Sequence, residues 1–152
     1  MFIKIIGWRL IKLSIRLQFS QVRQLSTTEL AAWLQKDNEP KPLLLDARTP
    51  EEYRVSHLAN AKLIPNDLED LKQGINYATP IVVYCSVGYR SAAIARQLQR
   101  MGYQNVFNLE GSIFQWVNEH RAVYREGKLT DKVHPYDRFW QYLIGDRQRI
   151  SR

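Results

Sequence analysis

The chain has 152 residues, 45% of them hydrophobic and 24% charged, which suits one domain with additions and excludes two full ones. A single cysteine rules out an internal disulfide and any mechanism needing two thiols of one chain, and with three scattered histidines it leaves no cysteine–histidine zinc site, so neither metal nor cofactor is expected. The net charge of +7 sits at the ends: residues 1–28 carry Lys4, Arg9, Lys12, Arg16 and Arg23 with no acid, residues 29–120 are close to neutral, and residues 121–152 hold eight bases against four acids.

A nucleic-acid partner is not expected, because no basic stripe with aromatic or helical readers accompanies that charge. Free cysteine usage fits a reducing, cytoplasmic compartment. The first 19 residues are apolar with interspersed cations, and no uninterrupted apolar run approaches the ~20 residues of a spanning helix. Spread cations and the lack of a small-residue cleavage site argue against a signal peptide. On a helical wheel Phe2, Ile3, Ile6, Leu10, Leu13 and Leu17 share one side and Arg9, Lys12 and Arg16 another, as in a helix lying on a membrane surface. Leu13, Ile15, Leu17 and Phe19 also alternate as a strand would, and an extension packed on the domain or on a partner is the plainer expectation.

Ordered structure is expected from Ser26, where Ser26-Thr27-Thr28-Glu29 is a capping box and Leu30, Trp33 and Leu34 form the buried face of a short helix. Leu43-Leu44-Leu45 reads as a strand covered on both faces. Pro50 starts a helix with Glu51 and Glu52 in its first turn, where the dipole favours acids. Lys62 to Ile64 reads as a brief strand stopped by Pro65, and Asp67 to Leu71 as a helical turn. Ile81-Val82-Val83-Tyr84 is a β-branched and aromatic run, hence a buried strand, followed by a helix over Ser91 to Met101 that Gly102 closes. Val106 to Leu109 and Ile113 to Glu119 give one more strand and helix. Short apolar strands alternating with helices predict an α/β domain built on a parallel sheet. Beyond Arg121, Val133-His134-Pro135-Tyr136 and then Phe139, Trp140, Tyr142 and Leu143 suggest a turn and a short aromatic helix folding back on the domain or meeting a partner.

In an open α/β sheet, ligands gather beyond the carboxyl ends of the strands, and Cys85 falls directly after one strand and before a helix. Backbone N–H groups opening a helix stabilise negative charge, which favours a thiolate there and welcomes a bound anion. Gly88 permits a tight curve or a positive φ. Arg90 adds a fixed charge at the rim, able to hold a thiosulfate, sulfite or persulfide donor. A lone cysteine at a strand end is also a common inert core residue, so the surrounding string decides.

Tyr84-Cys85-Ser86-Val87-Gly88-Tyr89-Arg90-Ser91 resembles the active-site loop of rhodanese-homology domains. Leu45-Asp46-Ala47-Arg48-Thr49-Pro50-Glu51-Glu52-Tyr53, Ser56-His57-Leu58-Ala59-Asn60-Ala61, and Val106-Phe107-Asn108-Leu109-Glu110-Gly111-Ser112-Ile113 with Trp116 are similar to further stretches of the same family, in the same order. The resemblance covers residues 22–120 and divides the chain into a basic apolar extension (1–21), a rhodanese-like domain (22–120) and a basic aromatic C-terminal extension (121–152). It implies a central parallel sheet flanked by helices on both faces. Ser56, Asn60 and Ser112 replace customary glycines, a departure that bears on local turns more than on chemistry.

The resemblance implies a sulfurtransferase of the bacterial single-domain type, in which the Cys85 thiolate takes the outer sulfur of a donor such as thiosulfate or a persulfide. It then yields that sulfur to a thiol, cyanide or a sulfur-accepting protein. Ser86, Val87, Gly88, Tyr89, Arg90 and Ser91 would bind substrate, with no metal. Asp46 and Arg48 would support the site, and their spacing fits a buried ion pair at least as well as a catalytic role. His57 reads as structural, Trp33 and Trp116 as core, and Glu51 and Glu52 as partners for Arg48 or Arg54. Tyr89 projects from the loop, where it either shapes acceptor access or does not. Two rivals stay open: a binding or persulfide-sensing module without turnover, and a cysteine phosphatase or arsenate reductase. The latter resembles a loop with five residues between cysteine and arginine, where this chain has four.

Overall fold

The computed structural model describes residues 2–137, 139–145 and 148. Five strands, β1 (Arg23–Leu25), β2 (Leu43–Asp46), β3 (Lys62–Leu63), β4 (Ile81–Tyr84) and β5 (Val106–Leu109), form one sheet in the order β1-β5-β4-β2-β3, all parallel. This is the α/β architecture the sequence predicts. Side chains of a strand alternate between faces, so Leu44, Val82 and Tyr84 enter one core cluster while Leu45, Ile81 and Val83 enter another. Helices α2 (Thr27–Gln35) and α5 (Ser112–Asn118) cover the first face through Leu30, Ile113, Phe114 and Val117. Helix α4 (Tyr89–Arg100) covers the second through Ala92, Ala95 and Leu98. Helix α3 (Pro50–Val55) follows β2, and a 3-10 helix spans Leu68–Gln73.

Local signals set the element starts. Ser26 caps α2 and Thr49 caps α3, each by a complete capping box in which the third residue on, Glu29 or Glu52, returns a bond to the cap's own N–H. Gly88 and Gly111 precede α4 and α5 with φ of 113° and 77°, the left-handed region that favours glycine.

Three expectations need correction. Order begins well before Ser26: helix α1 (Phe2–Gln18) precedes it, and β1 pairs with β5 along Arg23–Phe107, Gln24–Asn108 and Leu25–Leu109. The strand-like alternation of Leu13 to Phe19 gives way to helix because Ile11, Ile15 and Phe19, at helical spacing, all pack on the domain. The C-terminal extension also contains a hairpin, β6 (Val123–Arg125) and β7 (Lys128–Thr130), turning at Glu126 and Gly127 with φ of 50° and 75°. Beyond it the chain folds back on the domain: Val133, Leu143 and Ile144 join the first cluster, and the aromatic segment is a 3-10 helix, Trp140–Leu143. Arg138 and residues 146, 147 and 149–152 lie outside the described residues.

Candidate active site

Cys85 stands at the carboxyl end of β4, the central strand, and is 1% exposed. Its loop is fixed from three directions. The N–H groups of Ile113 and Phe114, opening α5, donate to the carbonyls of Cys85 and Ser86, both at 3.1 Å. The Cys85 N–H donates to Ser112 Oγ at 3.1 Å, and that hydroxyl donates in turn to the Leu109 carbonyl at 2.9 Å. The third direction is α1: Phe19 meets the Tyr89 ring edge-on, and the Tyr89 hydroxyl donates to Gln18.

The sulfur accepts a hydrogen bond from the Gly88 N–H at 3.2 Å and lies 3.4 Å from Ser91 Oγ, whose single proton goes to Asn108. Gly88 makes that bond possible by its left-handed φ, and it brings no capping side chain to α4, so the N–H groups of the first turn of α4 keep no intrahelical acceptor. Ser91 is held by Asn108 Oδ1 at 2.6 Å, and Asn108 by Gln24 at 2.8 Å, a polar chain running from β1 to the thiol. A cavity of about 150 Å3 opens over the sulfur, lined by Cys85, Ser86, Val87, Tyr89, Arg90, Tyr136 and Trp140.

Arg90 lines that cavity, yet its charge is already matched. Its two terminal nitrogens reach the two oxygens of Glu52, each at 2.9 Å, and one also donates to Ser86 Oγ at 2.9 Å. Its guanidinium lies 4.4 Å from the centre of the Tyr136 ring. Burial opposes the charge on Glu52, but the bonds from Arg90 and from the Thr49 N–H overcome it, holding the carboxyl at a pKa of about 2 against an ordinary 4.5. Burial likewise opposes the Arg90 charge, and Glu52 outweighs it and moves the guanidinium pKa up. The fixed charge at the rim is thus shared between the loop and α3.

Asp46 and Arg48 lie at the end of β2 with both side chains fully enclosed. Arg48 Nε and Nη2 donate to the two Asp46 oxygens at 2.9 and 2.7 Å, and Nη2 also donates to the Ser56 carbonyl at 2.6 Å. The Tyr84 hydroxyl donates to Asp46 at 2.6 Å and accepts from the Leu58 N–H at 3.1 Å. Neither Asp46 nor Arg48 lines the cavity over Cys85. His57 bonds the Tyr53 carbonyl through Nδ1 at 3.0 Å and stacks on the Tyr53 ring, a placement within its own turn.

Sequence reasoning missed four participants. Glu52 was paired with the wrong arginines, because Arg90 lies 38 residues away and only the fold brings α3 against the loop. Ser112, at φ 49°, holds the Cys85 amide through the very hydroxyl that a glycine would lack. Tyr136 and Trp140 come from the C-terminal extension, where aromatic content was the only available signal.

With this geometry in place, the sequence profile of the Rhodanese-like domain family matches residues 26–119. The chain belongs to the rhodanese family. Among curated relatives, the thiosulfate sulfurtransferase GlpE of Tolumonas auensis is 33% identical over 98 residues, covering 64% of this chain and 90% of that protein. Other rhodanese relatives are longer: the probable adenylyltransferase/sulfurtransferase MoeZ of Mycobacterium tuberculosis is 32% identical, covering 60% of this chain but only 24% of that protein. Among solved structures, the rhodanese-like domain protein of Staphylococcus aureus is 29% identical with a TM-score of 0.57, covering 72% of this chain and 97% of that one. The polysulfide-sulfur transferase homodimer of Wolinella succinogenes is 25% identical with a TM-score of 0.60, covering 78% of this chain and 89% of that one. These rhodanese relatives support sulfur transfer as the general activity.

Proposed function

We propose that this rhodanese is a sulfurtransferase that carries sulfane sulfur as a persulfide on Cys85, from a thiosulfate-like or persulfide donor to a thiophilic acceptor such as a thiol, cyanide or a sulfur-accepting protein. The observation that carries the reading is the Cys85 sulfur on the floor of a small cavity, facing the Gly88 N–H and the Ser91 hydroxyl. In the first half-reaction the thiolate attacks the outer sulfur of the donor. A new S–S bond forms on Cys85, the donor's own S–S bond breaks, and sulfite leaves with the electron pair when the donor is thiosulfate.

In the second half-reaction the acceptor attacks the outer sulfur and Cys85 departs as thiolate. Both steps conserve sulfur, and neither needs an acid–base histidine, because the thiolate is the nucleophile and also the leaving group. The Gly88 N–H and the N-terminal turn of α4 face the sulfur, where they stabilise the negative charge that develops on it in both transfers. A reducing, cytoplasmic setting suits this chemistry, since it keeps the lone thiol out of stray disulfides.

The test pairs turnover with mass. Thiosulfate and cyanide should yield thiocyanate, and thiosulfate alone should add ~32 Da, one sulfur atom, to the intact protein. Cys85→Ser should lose both, and phosphate esters should not be cleaved by either protein. Undiminished thiocyanate formation by Cys85→Ser removes Cys85 from the mechanism, and phosphatase activity that depends on Cys85 replaces this reading with the phosphatase one.

A further inference from the structure

Helix α1 is apolar on two opposite sides, and the domain uses only one of them. Trp8, Ile11 and Ile15 pack inward, with Phe19 just beyond the helix end continuing the same face. Phe2, Ile3, Ile6, Leu10, Leu13 and Leu17 point to solvent, with Phe2 79%, Ile3 86%, Leu10 61% and Leu17 71% exposed. At 100° per residue these six fall within an arc of about 100° centred opposite the packed face. Six large apolar side chains on one exposed arc are more than scattered surface hydrophobics, and such patches mark interaction sites.

The charges of the helix select its occupant: at 100° per residue Arg9 and Arg16 fall along one edge of the arc, whereas Lys4 and Lys12 lie toward the packed face. Lys4, Arg9, Lys12 and Arg16 all belong to α1, and residues 1–28 hold no acid. Arg16 is paired with Glu110 at 2.8 Å and Lys12 lies over the Trp8 ring, while Lys4 and Arg9 have no partner among the described residues. A second copy of the chain docked on this face would set cations against cations with no acid on either helix to offset them. Among the described residues no helix is long and apolar enough to cross a membrane. An apolar arc edged by Arg9 and Arg16, on a helix with no acids, is the pattern of a helix lying in the interface of an anionic bilayer, with acyl chains taking the leucines and headgroups the arginines.

We propose that the outer face of α1 docks the protein on anionic lipid bilayers. The helix reaches the sulfur loop through the Gln18–Tyr89 hydrogen bond and the Phe19–Tyr89 ring contact, so docking holds that loop close to the lipid surface. The docking itself does not rest on the sulfurtransferase reading.

The experiment is co-sedimentation of the full chain with vesicles of phosphatidylcholine containing phosphatidylglycerol, alongside vesicles of phosphatidylcholine alone. The chain should sediment with the anionic vesicles at low salt, be released as salt is raised, and stay in solution with the neutral ones. Leu10→Gln/Leu13→Gln/Leu17→Gln should weaken vesicle binding by at least about tenfold, since each leucine loses apolar burial. Arg9→Gln, at the edge of the arc, should weaken it roughly fivefold, and Lys4→Gln, on the opposite side, by less. All of these side chains are exposed and lie away from Cys85, so circular dichroism and thiocyanate formation in solution should not change. Absence of sedimentation with anionic vesicles overturns the proposal. So does self-association in sedimentation velocity that the triple variant abolishes, which would assign the face to a second copy. Loss of thiocyanate formation by the unaltered chain, with vesicle binding intact, would count against the sulfurtransferase reading alone.

Discussion

Asp46–Arg48 and Glu52–Arg90 are chemically the same pair, a carboxylate bonded twice to a guanidinium, yet they work in different surroundings. The first has no exposed side-chain surface and closes the turn between β2 and α3, with Tyr84 and the Ser56 carbonyl adding further bonds. The second has its arginine 31% exposed and ties α3 to the loop that carries the sulfur. Enclosure makes the first pair a condition of folding, since a charge stranded there has no water to turn to. Partial exposure makes the second a brace, whose loss the loop can survive in altered form.

The largest expected effect therefore lies at Asp46. Asp46→Ala strands the Arg48 charge and takes the acceptor of the Tyr84 hydroxyl, and should lower stability by about 3–5 kcal/mol, read from the urea midpoint. Arg90→Ala comes next, at roughly 1–3 kcal/mol, because Glu52 loses two bonds but keeps those from the Thr49 N–H and the Ser86 hydroxyl. Its turnover should fall by more than its stability explains, since Ser86 loses a bond as well. Equal midpoints for the two variants would dissolve the contrast between the pairs.

Acid sharpens the same comparison. The Glu52 carboxyl has its folded pKa depressed from 4.5 to about 2. Its contribution to stability is thus fully present above the unfolded value near 4.5, and is lost as pH falls from there to about 2. Urea midpoints measured across that window should drop more steeply for the unaltered chain than for Arg90→Ala, where the main cause of the depression is gone. Parallel slopes would mean that Arg90 does not set the state of Glu52.

The smallest effect is expected at Ser112. Glycine there relieves about 1 kcal/mol of left-handed strain but leaves the Cys85 N–H without its acceptor, which costs about 1–3 kcal/mol. Ser112→Gly should consequently shift the melting temperature little while slowing sulfur transfer, because the amide that fixes the loop is loosened. A faster enzyme would show that the hydroxyl restrains the loop more than it serves it.

Much of this was legible beforehand, for physical reasons. Ile81 to Tyr84 could only be a buried strand, Ser26 and Thr49 announce their helices by capping boxes, and the Cys85 loop sits where a parallel sheet gathers ligands. What escaped was either short and polar or set by distant contacts. Strand β1 is Arg-Gln-Leu, three residues at the edge of the sheet with one apolar side chain, and it exists because β5 is there to pair with it. Glu52 meets Arg90, and Tyr136 meets the Arg90 guanidinium, across separations no local pattern encodes. Helix α1 was read on its outer face, whereas its inner face, Trp8, Ile11 and Ile15, is the one the domain covers.

The enclosure of the Cys85 sulfur has a consequence for handling the protein in the test tube. With 1% of the residue in contact with solvent, and Tyr136 and Trp140 walling the approach, a bulky alkylating reagent meets the thiol only when those aromatic side chains swing aside. The speed at which iodoacetamide and a larger maleimide label the folded chain is then a stopwatch on that motion, and the ratio of the two rates gauges how wide the doorway opens.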